Sequence, residues 1–416
     1  MRIHYPVVFH IGLLICLSAS PLSAVTLEEA MKMASEQHPR LQVAKQNIVA
    51  AEGELTEQSA YAYNPELSVE PQRRSTNAGG TSTDYYITLS QGIEMAGKRG
   101  IRERSAQAAL STAGHEVEAI RRKLSIDAAR AFVELFFSEH TLELRQSQSI
   151  GLQQLSLAVA RQLEMGESNQ LDVNLARSSY ASSLNAELAA KQQLSLSRAR
   201  FYSAIGQMNG DQVGSLKLPM MQVDWELPDD PFDVALASRP ELAALRSKLT
   251  QSDAQAALTK AQRIPDPSIS VMSGREDGEQ LIQLGINFSL PVWNSHRGAY
   301  KTALAEVART QAELEWSEYQ LRLELQASIH NHTSAMTAVA GAYKAEAQQS
   351  AYDNIELARI AFKAGELDLE ELVIHSSQGL DAQLTALAIM KQGWLARIRL
   401  AEVLGHPEYI LEGTIQ

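Results

Sequence analysis

The chain carries one cysteine, Cys16, in 416 residues. A lone thiol excludes an internal disulfide and a cysteine-built metal cage. Aromatic residues make up only 6% of the sequence, which is low for one large compact core. Proline is missing from two long reaches, Pro71 to Pro219 and Pro291 to Pro407. Those gaps allow long unbroken helices, which an interior proline would stop or kink. No segment reaches ~18 consecutive apolar residues, so no transmembrane helix is expected and any membrane insertion must be by β-strands. An excess of positive charge is lacking too: the net charge is −12, which leaves no electrostatic footprint for nucleic acid. No nucleotide-binding glycine loop, catalytic triad, paired-carboxylate site or zinc-protease helix can be read, so the chain reads as a non-enzyme without a cofactor.

Ten histidines invite a metal site, but their spacing argues against one. His330 and His332 are two apart on an expected helix and point to different faces. His38, His296 and His406 fall at element ends. No pair has the usual ligand spacing.

The N-terminus reads as a secretory signal. Arg2 supplies the basic start, Val7 to Leu17 the apolar run, and Ser23-Ala24 the small-residue end, with cleavage after Ala24. Cys16 lies inside this run. A lipoprotein would anchor Cys16 instead, but Ile15 is bulky where that pattern wants a small residue.

Alanine and leucine recur throughout, as long helices packed through small side chains require. Leu314, Leu321, Ser328, Ala335 and Ala342 repeat at seven-residue steps, one seam of a coiled coil. The pattern from Gly298 to Phe362 predicts a helix of ~65 residues, roughly 100 Å long. It breaks at Ala364-Gly365-Glu366. A second helix then starts with Asp368 as N-cap and Glu371 where a capping box places its acid, and it runs to Leu404. This is a long helical hairpin with a tight turn at Gly365. Earlier in the chain Leu110, Val117, Leu124 and Ala131 keep the same step, the helix breaks near Gly166, and another runs from Asn169 to about Ile205. Thr26-Leu-Glu-Glu29 is a capping box that opens a shorter helical segment, which His38-Pro39 interrupts. Leu67 and Val69, then Tyr85, Ile87 and Leu89, then Ile282 through Leu290 alternate with polar residues, as half-buried strands do.

The order is duplicated. Arg239-Pro-Glu-Leu242 answers His38-Pro-Arg-Leu41, and Asp266-Pro-Ser-Ile269 answers Asn64-Pro-Glu-Leu67. His296-Arg297-Gly298 answers Lys98-Arg99-Gly100, and Ala364-Gly365-Glu366 answers Met165-Gly166-Glu167. The offset stays near 200 residues, so an internal repeat is predicted. The expected organisation is a signal peptide over 1–24, a first repeat over 25–208, a linker over 209–231, a second repeat over 232–406 and a tail over 407–416. The fold class is mainly α with a small β part, each repeat holding a β-hairpin and a long helical hairpin.

Four strands cannot close a barrel, and an open sheet edge is not allowed in lipid. If the strands enter a membrane, several chains must pool them. Three chains would give twelve strands and twelve long helices around one pore.

With the paired Pro starts, the paired strands and the two Gly-Glu turns, the chain resembles the TolC family, the trimeric outer-membrane factors of tripartite efflux pumps. The stretch Leu89-Ser-Gln-Gly-Ile-Glu-Met-Ala-Gly-Lys-Arg-Gly-Ile-Arg102 resembles the heavy-metal branch, which serves cobalt–zinc–cadmium pumps. The resemblance implies a homotrimer with a twelve-stranded barrel in outer-membrane lipid and an α-helical tunnel across the periplasm. It implies a periplasmic adaptor protein docking at the far end and an inner-membrane RND pump supplying the energy. It also implies roles at the tips. Gly166, Glu167, Gly365 and Glu366 would meet the adaptor, or the glycines would only supply left-handed turns. Glu371 sits six residues after the tip glycine, where the family lines its entrance with an acid, and the capping-box role competes for it. A second acid three residues on is common in the family, but Ile374 stands there. Asp172 is the first-half counterpart of Glu371 and reads as a cap. Glu366, Asp368 and Glu370 read as solvated tip charges that would raise the local cation concentration, and Asp172 and Asp368 stand beside Glu371 as pore candidates. The same duct serving drugs or secreted substrates, and a pore-free periplasmic trimeric scaffold, are the competing readings.

Overall fold

The computed structural model describes residues 24–75, 80–207, 214–223, 225–343, 345–412 and 414–415. The expected leader up to residue 23, Cys16 included, and the start of the linker lie outside the described residues.

Two long helices carry the first half: α3 (Lys98–Glu164) and α4 (Gln170–Ile205). At 67 residues, α3 is roughly 100 Å long. The second half repeats this with α7 (Arg297–Tyr343), α8 (Ala345–Lys363) and α9 (Leu369–Leu404). The predicted helix from Gly298 to Phe362 is therefore helical on both sides of residue 344, which is not described. Before each long hairpin sits a helix pair, α1 (Leu27–Gln37) with α2 (Pro39–Ser59), then α5 (Pro231–Ser238) with α6 (Pro240–Ala261), and all but α1 begin at a proline. Proline at the first helical position loses nothing, because that N–H has no helical partner. Thr26 forms the expected capping box with Glu29: each backbone N–H donates to the other's side-chain oxygen.

Along α7 the seam is buried at Leu321, Leu325, Ser328, His332, Met336 and Val339, steps of three and four residues. Of the five residues read at seven-residue steps, Leu321 and Ser328 fall in this buried seam.

Four antiparallel strands form one sheet in the order β2 (Glu66–Ser75), β3 (Thr81–Gly92), β6 (Ser268–Glu276) and β7 (Glu279–Asn287). The β3–β6 pairing joins the two halves, with Leu89 opposite Val271 and Gly92 opposite Ser268. Asp277 and Gly278 turn β6 into β7, both at positive φ, as a two-residue hairpin requires. Register aligns Leu67, Leu89, Val271 and Leu284 in one row, and Val69, Ile87, Ser273 and Ile282 in the next. All the apolar members of these rows are exposed, with Leu284 at 77%. The sheet has an apolar face that the described chain does not cover. Ser68, Thr88, Met272 and Gln283 share a row on the opposite face. The apolar alternation predicted through Leu290 outruns β7, which ends at Asn287 opposite Ser268, the first residue of β6. Beyond that point the chain offers no strand to pair with.

The segment read as a linker holds two short strands. Within it, β4 (Leu216–Lys217) pairs in parallel with β1 (Val25–Thr26), and β5 (Met220–Met221) pairs with β8 (Thr414–Ile415). Two-residue strands leave no periodicity to read. They fasten the crossover to both ends of the described chain. Around them lies the main apolar core, where Phe132 of α3 meets Phe201 of α4 edge-to-face at 5.9 Å. Among the described residues no helix is long and apolar enough to cross a membrane.

Candidate functional site

Both helical hairpins turn in the same way. At the first tip Gly166 has φ +78°, its N–H donates to the Leu163 carbonyl (3.0 Å), and Glu167 N–H donates to Gln162 (2.8 Å). At the second, Gly365 has φ +80°, its N–H donates to Phe362 (3.1 Å), and Glu366 N–H donates to Ala361 (2.9 Å). This pair of bonds satisfies the last carbonyls of a helix and needs a left-handed residue, which glycine supplies without strain. The turn role expected of the glycines is therefore realised at both tips.

The helices that follow are capped as the spacing predicts. Asn169 Oδ1 accepts from Asp172 N–H at 2.9 Å, and Ser168 Oγ donates to Asp172 Oδ2 at 3.1 Å. Asp368 Oδ1 accepts from Glu371 N–H at 2.8 Å, while Glu371 Oε2 accepts from Asp368 N–H at 3.1 Å. Glu371 is thus a cap in the single chain, and its carboxylate is exposed. Val159, Val173, Ala176 and Leu369 form a small apolar cluster with Phe362 against it, which brings the two tips to one end of the molecule. Beside the second tip, Leu357, Ala358, Ala361, Leu367 and His375 line a cleft of about 370 Å³.

Two of the histidines discussed for their spacing have structural settings away from the tips. His38 caps α2, Nδ1 accepting from Arg40 N–H at 3.0 Å, and its Nε2 lies 3.1 Å from the Ser203 carbonyl. His332 is buried edge-on to Trp225, and burial lowers its pKa to about 4, with Arg397 adding to the effect. No group of three metal-ligating side chains occurs among the described residues.

No family model matches the chain. The cobalt-zinc-cadmium resistance protein CzcC of Cupriavidus metallidurans is 25% identical over 397 residues, covering 93% of this chain and 91% of the relative. The nickel-cobalt-cadmium resistance protein NccC of Alcaligenes xylosoxydans is 25% identical over 77% of this chain. Among solved structures, the CmeC outer-membrane channel of Campylobacter jejuni superposes with a TM-score of 0.78 over 91% of this chain at 15% identity. CusC superposes with a TM-score of 0.77 over 91% of this chain, also at 15% identity. Over most of its length the chain is similar to these two metal-resistance proteins, and it has the fold of the outer-membrane channels CmeC and CusC.

The sequence reading missed a charged knot where the sheet meets the helices. Lys98 Nζ, at the start of α3, lies 2.8 Å from Asp266 Oδ1 and 2.7 Å from the Ile264 carbonyl. Met95 N–H donates to the same Asp266 oxygen at 2.7 Å, and the Tyr63 hydroxyl donates to Oδ2 at 2.8 Å. The hydrogen bond to Asp266 leads in pushing the Tyr63 hydroxyl up to about 12. Partial burial works against the Asp266 carboxylate. The bonds from Lys98, Met95 N–H and Tyr63 outweigh it and hold its pKa below the ordinary carboxylate value. Both Lys98 and Asp266 stand in motifs that the duplication singles out, so the signal was present. What the pattern lacked was the pairing of a first-half cation with a second-half acid.

Proposed function

We propose that three copies of this chain form a passive exit duct in the outer membrane, carrying divalent heavy-metal cations out of the cell. The observation that carries the duct is the four-stranded sheet with two open edges and an exposed apolar face. Lipid on that face and neighbouring chains on those edges give it a stable setting. The long helices, closed in the same way, become a tunnel across the periplasm. On this reading, residues 25–208 and 232–406 are the two tandem repeats. The tips at Gly166-Glu167 and Gly365-Glu366 meet a periplasmic adaptor, with the cleft beside Leu357 as the contact surface on the second. An inner-membrane pump supplies the energy.

The metal reading rests on full-length similarity to a protein named for cobalt, zinc and cadmium resistance. Deleting the gene is expected to sensitise cells to at least one of cobalt, zinc, cadmium and nickel. Unchanged tolerance to all four, with new sensitivity to drugs, would transfer the duct to organic substrates.

Threefold symmetry would gather three Glu371 carboxylates at the narrow end, and such a ring favours cations. Glu371→Gln separates this role from capping, because glutamine also serves at the third position of a capping box. The expected result is a lower cation preference in planar-bilayer reversal potentials, with the melting temperature unchanged. Unaltered selectivity would leave Glu371 as a cap alone.

A further inference from the structure

Between the two halves of the chain lies a cavity of about 530 Å³. Its wall carries His115, Glu118, Arg121, Arg122 and Ser125 of α3, and Arg239 at the start of α6. Three guanidiniums therefore share the wall with one carboxylate. Arg121 takes that carboxylate: its Nη1 donates to both oxygens of Glu118, at 2.8 and 2.9 Å. Arg122 and Arg239 are left with a second acid, Glu241, which does not line the cavity. Arg122 donates to Glu241 Oε1, while Arg239 Nε stands 3.6 Å from Oε2 and makes no hydrogen bond. Arg239 also lies 4.0 Å from Glu324, which Arg399 approaches more closely, at 3.5 Å. The Arg122 side chain is only 9% exposed. Its burial, with the charge of Arg239 beside it, holds its pKa below the ordinary guanidinium value against the pull of Glu241. Helix α6 starts at the same place, with Pro240 at its first position and no side-chain cap, so the positive end of its dipole adds to the field. A chain of net charge −12 thus holds an under-compensated cationic wall between its halves.

We propose that this cavity binds a phosphate-class oxyanion, free or carried on a sugar, between Arg122 of the first half and Arg239 of the second. A buried guanidinium N–H without an acceptor is costly, and an anion in the cavity supplies the acceptor that Arg239 Nε lacks. A tetrahedral dianion accepts from guanidiniums on two elements at once, and charge-assisted bonds of this kind are the strong ones. The apolar part of the wall is alanine, proline and glycine, which offers an apolar ligand little to pack against. The volume is in the range that holds a small organic ligand, so a phosphate fits with a sugar attached. Bound there, the anion ties α3 to the start of α6 and so fastens the two halves to each other. All of these residues belong to one chain, and the site stands whether or not three chains assemble.

The test is calorimetric titration of the full chain in detergent with inorganic phosphate, glucose 6-phosphate and acetate, all at one ionic strength. Both phosphates are expected to bind, and acetate is not. Tighter binding of glucose 6-phosphate assigns the site to a phosphate on a sugar, and the reverse order assigns it to the free ion. Arg239→Gln is expected to weaken phosphate binding roughly tenfold, as loss of a charge-assisted partner does. Glu241→Gln removes the acid that competes for Arg122 and Arg239, and it is expected to tighten binding several-fold. These opposite signs separate the site from a general effect of salt on stability. Arg246→Gln, whose guanidinium pairs with Glu318 outside the cavity, is expected to bind like the parent chain. Failure of both phosphates to bind, acetate binding as well as phosphate, or tightening absent in Glu241→Gln overturns the proposal. Melting in chloride shows that each variant is folded, and should Arg239→Gln not fold, the gain in Glu241→Gln decides the matter by itself.

Discussion

Asp266→Ala is expected to cost about 3 kcal/mol of stability, because it strands a cation at the junction of sheet and helices. The Lys98 side chain is only 8% exposed and that of Asp266 13%. Removing the carboxylate leaves Lys98 Nζ with the Ile264 carbonyl alone, and leaves the Met95 N–H and the Tyr63 hydroxyl without their acceptor. An unmet buried donor costs more than the bond it made contributed. Asp266→Asn keeps an oxygen for one of these donors and is expected to lose about 1 kcal/mol less than the alanine variant. The decisive comparison is Lys98→Met with Asp266→Ala. With the cation gone as well, the double variant is expected to be more stable than Asp266→Ala alone. The pH dependence carries the same signature. The folded-state pKa of Asp266 is depressed, so its contribution is present above the ordinary carboxylate pKa and is lost as the pH falls through the lower, folded value. Denaturant unfolding in detergent, followed by tryptophan fluorescence between neutral and acid pH, reads both effects. A double variant no more stable than the single would show that the knot is not held by charge.

The repeat was legible because each copy marks its start with proline, its tip with glycine and its second long helix with a short polar cap. Those residues act locally, so spacing alone reveals them. The tips of α3 and α8 turn at Gly166 and Gly365, and Asn169 and Asp368 cap as read. Long-range pairing leaves no such local mark. Lys98 and Asp266 are 168 residues apart, and nothing in either motif states that they meet. The linker strands β4 and β5 were invisible for a related reason: two residues show no alternation, and their partners sit at the far ends of the chain. The sheet shows a third case. Its alternation was read as half-buried, and within one chain neither the apolar face nor the two edges are covered. The pattern describes a surface that this chain cannot bury by itself. Gly393 lies inside α9 with no local mark of its role. In the fold, a Cβ there would come within 2.6 Å of Val339 Cγ2, so the glycine marks where α9 crosses α7 closely.

Phe132→Ala is expected to destabilise the chain by about 3–5 kcal/mol, the range for deleting a fully buried aromatic side chain. Neither Phe132 nor Phe201 is exposed at all, and their edge-to-face contact adds to the apolar burial. The size of the effect follows from where this chain keeps its large side chains. With aromatics at 6%, and alanine, serine and leucine filling the helical seams, bulky buried residues concentrate in one belt. There α1, α3, α4 and α9 meet, through Leu27, Phe132, Phe137, Phe201, Trp394 and Ile398. Toward the tips the buried set shrinks to Val159, Val173, Ala176 and Leu369. Val159→Ala removes two methyl groups from that small cluster and is expected to cost about 1–2 kcal/mol. Thermal unfolding should therefore show a large shift for Phe132→Ala. Hydrogen exchange should show Val159→Ala opening the tip alone, with the belt still protected. Such a gradient, rigid at the belt and weakly held at the tips, is what the proposed docking of an adaptor at the tips requires. Equal losses at the two positions would mean that the long hairpins unfold with the belt as one unit.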